Sequence, residues 1–169
     1  MIDLLQSSGI AATPDAQRPF DHGAWVPLMH LFPGADIPVV QVALPADAGP
    51  ADVMAMGRAL RSLRDDGVLV VGSGSMTHNL SEFFGGERAA APYVLAFSRW
   101  IESAVARGDT AALIDYRAQA PHAVRAHPSE DHFLPLFFAL GAADDASTPE
   151  YLSREVMYGI LAMDSFALA

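Results

Sequence analysis

At 169 residues, 51% apolar and 18% charged, the chain is long enough for one domain to bury a full core and too apolar to be mainly disordered. Twenty acidic against ten basic side chains give a net charge of −10, which argues against a phosphate-backbone footprint and so against nucleic acid as a partner. There is no cysteine, which excludes a disulfide scaffold, a thiolate zinc site and a cysteine nucleophile, and fits a cytoplasmic protein.

No apolar run approaches the length that crosses a bilayer, so no membrane partner is expected. Met1 to Gly9 lacks the basic start and long apolar core of a signal peptide, and reads as the last turns of a helix stopped by Gly9. A start so near the end of an element raises the expectation that an upstream part is missing. Residues 11–19 form a loop; Asp21-His22-Gly23 then opens a short apolar helix to about Leu31, ended by Pro33-Gly34. Ile37 to Leu44 is β-branched and bounded by Pro45, which predicts a strand. Pro50 to Asp65 is the clearest helix, with Val53, Met56, Leu60 and Leu63 at helical spacing. Residues 68–72 form an apolar run between glycines, which predicts a strand covered on both faces. Residues 37–72 thus read as a right-handed βαβ unit with parallel strands.

The turn from Gly72 to Leu80 presents His78 at that strand's carboxyl end, where open α/β sheets gather their ligands. Gly72 and Gly74 would relieve the backbone and let a ligand approach. The alternative is that His78 caps or braces the next helix. Residues 81–91 read as a glycine-rich loop, Tyr93 to Arg107 as an amphipathic helix, and Asp109 as the cap of a helix over Thr110 to Tyr116. Pro121 to Pro128 reads as a loop; Ser129 caps a helix that carries His132 and ends at Gly141. Residues 142–150 are acidic and exposed, and Arg154 to Leu168 holds two short strands. The expectation is one domain over 1–169, of α/β class, with a mixed, mainly parallel central sheet flanked by helices.

Six histidines are the candidate chemistry, since imidazole is the commonest metal ligand and titrates nearest neutrality. His30 reads as a core or surface residue, and His122 and His127 as solvated loop positions. His22 is either exposed beside a capping Asp21 or part of a site. Glu130, Asp131 and His132 share the first helical turn, where they are either an ordinary capping pattern or a site, and not all three can face one metal. Gly72-Ser-Gly-Ser-Met-Thr lacks the third glycine of a dinucleotide fingerprint, the lysine of a P-loop and the pattern of a nucleophile elbow.

Gly72-Ser-Gly-Ser-Met-Thr-His78-Asn79-Leu80, followed by Pro128-Ser-Glu-Asp-His132-Phe-Leu-Pro-Leu-Phe-Phe-Ala-Leu-Gly141, resembles the class III extradiol ring-cleavage dioxygenases, in the branch of the 4,5-DOPA dioxygenases. Phe20-Asp-His22-Gly-Ala-Trp-Val-Pro-Leu and Asp36-Ile-Pro-Val-Val-Gln are similar to two further blocks of that family. The resemblance implies opening of a catechol-type ring with O₂ at a mononuclear non-haem Fe(II), with zinc as an alternative metal. It implies that His78 is the proton-handling base or an additional metal ligand, that His132 is a metal ligand, that His22 assists at the substrate, and that Asp131 supports the site. The family's leading His-Gly-Ser-Pro turn and later Ser-Ala-His-Trp block have no counterpart here, which implies a fold incomplete relative to the family. A homo-oligomer or a complementing N-terminal segment is therefore an expected partner, and a non-catalytic metal-binding or interaction module is the alternative function.

Overall fold

The computed structural model describes residues 1–83, 86, 88–144 and 147–168. Helix α1 (Ile2–Ser7) stops at Gly9, whose φ of +77° lies in the left-handed region that favours glycine. Helix α2 (His22–Leu31) is capped by Asp21, whose carboxylate accepts from the Ala24 N–H. Helix α3 (Pro50–Leu60) begins with proline in its first turn, and Asp52 reaches back to accept from the Gly49 N–H. It tightens into a 3₁₀ turn over Arg61–Arg64 and turns out at Gly67, φ +80°.

Helices α4 (Pro92–Ala106), α5 (Thr110–Ile114), α6 (Tyr116–Gln119) and α7 (Ala123–Ala126) follow, and Asp109 caps α5 as its sequence position predicts. Helix α8 (Pro135–Ala142) packs along α3. Four short strands close the described chain: β1 (Glu150–Ser153) pairs antiparallel with β4 (Ser165–Ala167), and β2 (Val156–Met157) with β3 (Leu161–Ala162).

The core lies between α3, α4 and α8. Val53, Leu60, Val94, Phe97 and Ile101 are buried there, and Phe97, Tyr116, Phe133 and Phe137 form an aromatic cluster with ring centroids 4.7–6.2 Å apart. Helices α3 and α8 approach so closely that a Cβ on Gly57 would lie 2.1 Å from the Phe138 carbonyl, and one on Gly141 would lie 2.1 Å from that of Met54. Gly141 is thus a crossing point inside α8 rather than a helix stop.

Other expectations change too. The fold is mixed α/β with small antiparallel sheets, and no parallel pair occurs among the described residues. Residues 37–44 and 68–72 run beside α3 without a ladder partner. Val42, Leu44 and Val70 lean on the core, while Val40, Leu69 and Val71 are exposed, so the second run is covered on one side only. A strand is made by its neighbour, and neither run has one among the described residues. Gly72 and Gly74 serve close approach within the chain: a Cβ would lie 2.2 Å from the Pro135 carbonyl or 2.3 Å from that of His132.

The helix predicted from Ser129 begins only at Pro135; residues 129–134 are bends and turns, because Pro135 has no N–H to donate to the Asp131 carbonyl and so breaks a helical ladder there, while its ring suits a first turn. A short helix occupies part of the 121–128 loop, and residues 154–168 hold three strands where two were expected, with β1 just before them. Phe84, Gly85, Glu87, Asp145 and Ala146, parts of the predicted 81–91 and 142–150 loops, lie outside the described residues. No helix among the described residues is long and apolar enough to cross a membrane.

Candidate functional site

The segment Ser75–Asn79 is a strap held on three sides. The Ser75 N–H donates to the His132 carbonyl at 2.8 Å, the Met76 N–H to Ala162 at 3.0 Å, and the His78 N–H to Ala126 at 2.9 Å. Thr77 is fully buried; its hydroxyl donates to the Ile160 carbonyl and accepts from the Ala162 N–H, each at 2.8 Å. Asn79, also buried, donates from Nδ2 to the Arg125 carbonyl at 2.7 Å and caps the next 3₁₀ turn (Leu80–Glu82) by accepting from the Ser81 N–H. The two buried polar side chains of the strap, Thr77 and Asn79, thus have partners, while those of Ser75 and His78 are only half-buried.

His78 lies flat on His132, ring centroids 3.6 Å apart and planes 8° from parallel. His22, the first residue of α2, stands near, its centroid 6.4 Å from that of His132. Asp131 Oδ2 is 2.7 Å from His132 Nδ1, a close carboxylate–imidazole contact that falls outside hydrogen-bond geometry. Three imidazoles and a carboxylate distant in sequence therefore meet at one place, half-buried at His78 and His132 and exposed at His22 and Asp131. The remaining histidines are elsewhere: His30 and His122 are exposed, and His127 is fully buried rather than solvated.

Electrostatics separates the two stacked rings. Burial lowers the pKa of His78, and any positive charge on His132 lowers it further; the Asp131 carboxylate pulls the other way. A hydrogen bond from Ser129, with burial opposing it and His132 assisting, holds Asp131 below the usual carboxylate range. At neutral pH the site therefore offers an ionised carboxylate beside His132 and a neutral imidazole at His78. That is a proton acceptor with an orienting wall.

An imidazole binds a metal through a lone pair in its ring plane, about 2.0–2.1 Å away for zinc. Two nearly parallel rings 3.6 Å apart cannot both aim such lone pairs at one ion. Among the described residues no three His, Asp or Glu side chains form a metal-holding group. They do not by themselves complete a metal centre; the Asp131 carboxylate lies against His132 Nδ1 without the hydrogen bond that would orient the ring of a metal ligand.

Residues 1–163 match the family model described as the catalytic LigB subunit of aromatic ring-opening dioxygenase. The chain belongs to this family. Among relatives, it is 39% identical to the 4,5-DOPA dioxygenase extradiol of Beta vulgaris, over 97% of this chain and 62% of that protein. It is 33% identical to the 4,5-DOPA dioxygenase extradiol of Escherichia coli K12, over 85% of this chain and 54% of that protein. The crystal structure of an uncharacterized protein from Escherichia coli K12 superposes with a TM-score of 0.85 at 29% identity, over 98% of this chain and 68% of that one. The chain thus spans about three fifths of the length of the Beta vulgaris relative. Members of the LigB family generally use a metal.

Sequence patterns brought out His22, His78, His132 and Asp131 but missed His127, Thr77 and Asn79, which hold the strap. For His127 the one sequence signal was its place in His127-Pro128, five residues before His132. Nothing in the local pattern marks it as buried.

Proposed function

We propose that this chain carries part of the active site of a class III extradiol dioxygenase, which opens a catechol-type ring with O₂. The observation that carries the reading is the meeting of His22, His78 and His132, from three separate blocks of the chain, at one half-open place. In this reading His78, neutral and beside solvent, takes the proton of a catechol hydroxyl; as it becomes charged, the Asp131 carboxylate stabilises it and the strap keeps it from swinging away. His22, exposed at the N-terminus of α2, hydrogen-bonds and orients the substrate. His132, with the Asp131 carboxylate beside it, is the proposed metal donor, and His78 can be a second one only if its ring leaves the stack. Fe(II) is the proposed metal, with zinc the alternative.

Two donors hold a metal weakly, so the remaining ligands belong in this reading to a complementing N-terminal segment or a second copy. The exposed apolar side chains Trp25, Met29, Val40, Leu69 and Val71 support such a partner. The deciding experiment adds Fe(II) anaerobically, then a catechol such as DOPA and O₂, to this chain alone and to a form extended by the segment the Beta vulgaris relative has in addition. A yellow ring-opened product from the extended form is expected. No product with any catechol from the iron-loaded extended form would end the proposal.

The second reading, a non-catalytic metal-binding or interaction module, is favoured by the two-donor site. Calorimetric titration with Fe(II) and Zn(II) and the ring-opening assay separate them together: no binding supports an interaction module, one-to-one binding that is lost in His132→Ala without ring opening supports a non-catalytic metal-binding module, and binding with ring opening supports the dioxygenase.

A further inference from the structure

His127 lies outside the histidine cluster, yet it is fully buried, its ring packed against Phe133 and Phe97 at centroid distances of 4.6 and 5.6 Å. Its Nε2 is 2.9 Å from the Met76 carbonyl oxygen. A carbonyl can only accept, so Nε2 carries the proton and Nδ1 the lone pair. That Nδ1 is buried with no hydrogen-bond partner among the described residues. A leucine would fill the place without an orphaned nitrogen but would orphan the Met76 carbonyl instead, so satisfaction of buried groups does not by itself select an imidazole. What the imidazole does, and a leucine cannot, is fix the direction of a peptide group two residues before His78.

It does so as one of three consecutive residues that grip the strap. The Ala126 carbonyl accepts from the His78 N–H at 2.9 Å, and the Arg125 carbonyl accepts from Asn79 Nδ2 at 2.7 Å. The Arg125 guanidinium donates to both Glu82 carboxylate oxygens, at 2.8 and 3.0 Å. Arg117 in turn donates to the His127 carbonyl at 3.1 Å. The end of α7 is therefore a template that reads positions 76, 78, 79 and 82 at once, and His127 supplies its one contact made by a buried ring.

We propose that His127 is a positioning residue for the His78–His132 pair: as a neutral imidazole protonated on Nε2, it orients the Met76 peptide and, with Arg125 and Ala126, sets the His78 ring over His132. The assignment of that pair to ring opening rests on the proposed function; the positioning does not.

The test uses the whole chain labelled with ¹⁵N. Long-range proton–nitrogen correlations should show His127 protonated on Nε2 at neutral pH; a proton on Nδ1 would overturn the proposal with no variant needed. Cross-ring NOEs between His78 and His132 are expected in the parent protein, and their absence would overturn it as well. The NOEs should persist in His127→Gln, whose side-chain amide reaches the place of Nε2. They should fall several-fold in His127→Leu and in His127→Asn, whose amide is one carbon too short. Unchanged NOEs in His127→Leu, with only a lowered melting temperature, would make His127 an ordinary core residue. Should the leucine variant fail to fold, the Gln and Asn pair decides by the same readout; should these fail too, the tautomer in the parent protein decides. In the extended form, His127→Leu should lower kcat with KM kept, and His127→Gln should restore it. Ring opening absent from every preparation, the parent included, would count against the proposed function and leave the NMR result standing.

Discussion

Helices α2 and α8 are short and apolar, each carries a proline near one end or within it, and they meet opposite fates. Helix α8 buries Phe137, Phe138, Gly141 and Ala142 against α3, whereas α2 buries none of its residues and leaves Trp25, Val26, Met29 and Leu31 in solvent. Composition does not separate the two; a matching surface does. Helix α8 has Gly141 where α3 has Gly57, so the backbones can touch, while nothing among the described residues covers the outer side of α2 or of residues 68–71. One side of the molecule is a finished interior, and the other is a surface with the makeup of an interior.

The contrast breaks first at the α3–α8 crossing. Glycine to alanine inside a helix ordinarily stabilises by roughly 0.5–1 kcal/mol. Here the added methyl would meet backbone that has no side chain to move, so Gly57→Ala or Gly141→Ala should instead destabilise by about 3 kcal/mol or more. Urea denaturation measures the sign, and a stabilised variant would mean the helices are not in contact as described.

The next effect is a pH dependence that belongs to the finished side. Burial lowers the pKa of His127 from 6.5 to about 4, against the smaller opposing pull of its bond to Met76. The unfolded chain takes up the proton below pH 6.5 and the folded one only near pH 4. Stability from this group is therefore complete above pH 6.5, falls by about 1.4 kcal/mol per unit as the pH drops, and levels off below about 4, a loss of about 3 kcal/mol. Denaturation midpoints between pH 7 and 4 should show a slope that is shallower by this amount in His127→Gln. Equal slopes in the two proteins would refute it.

The smallest effect is expected on the open side. Leu69→Lys or Trp25→Glu should change the stability of this chain by no more than about 0.5 kcal/mol in urea denaturation. A loss above about 2 kcal/mol would show these residues to be buried after all.

How much could be read beforehand follows the same division. Helices α2, α3, α4 and α5 were readable because their signals are local: Asp21 and Asp109 cap, Pro50 opens a first turn, and the apolar spacing of Val94, Phe97, Ile101 and Val105 marks one buried face. The parallel sheet was not, because a strand is defined by a neighbour that local pattern cannot supply; residues 37–44 and 68–72 have the composition and lack the partner. In the site, the residue types and blocks of His22, His78 and His132 pointed to chemistry. Their stacking depends on Gly72 and Gly74 pressing against residues 132–135, a contact no spacing rule encodes. His127 went unread for the opposite reason: a histidine next to proline in a short loop looks solvated, and only the aromatic cluster behind it makes it interior.

The double bond pattern of Thr77 has a consequence for motion. Its hydroxyl takes the place of a backbone rung, receiving the Ala162 N–H and giving to the Ile160 carbonyl, while Met76 closes the next rung to Ala162. The tail's small hairpin and the strap beneath His78 are thereby joined into one cooperative opening unit, although more than eighty residues of chain separate them. In hydrogen exchange, the amides of Met76, His78 and Ala162 should open together, and loosening the far end of the chain should be felt at the imidazole.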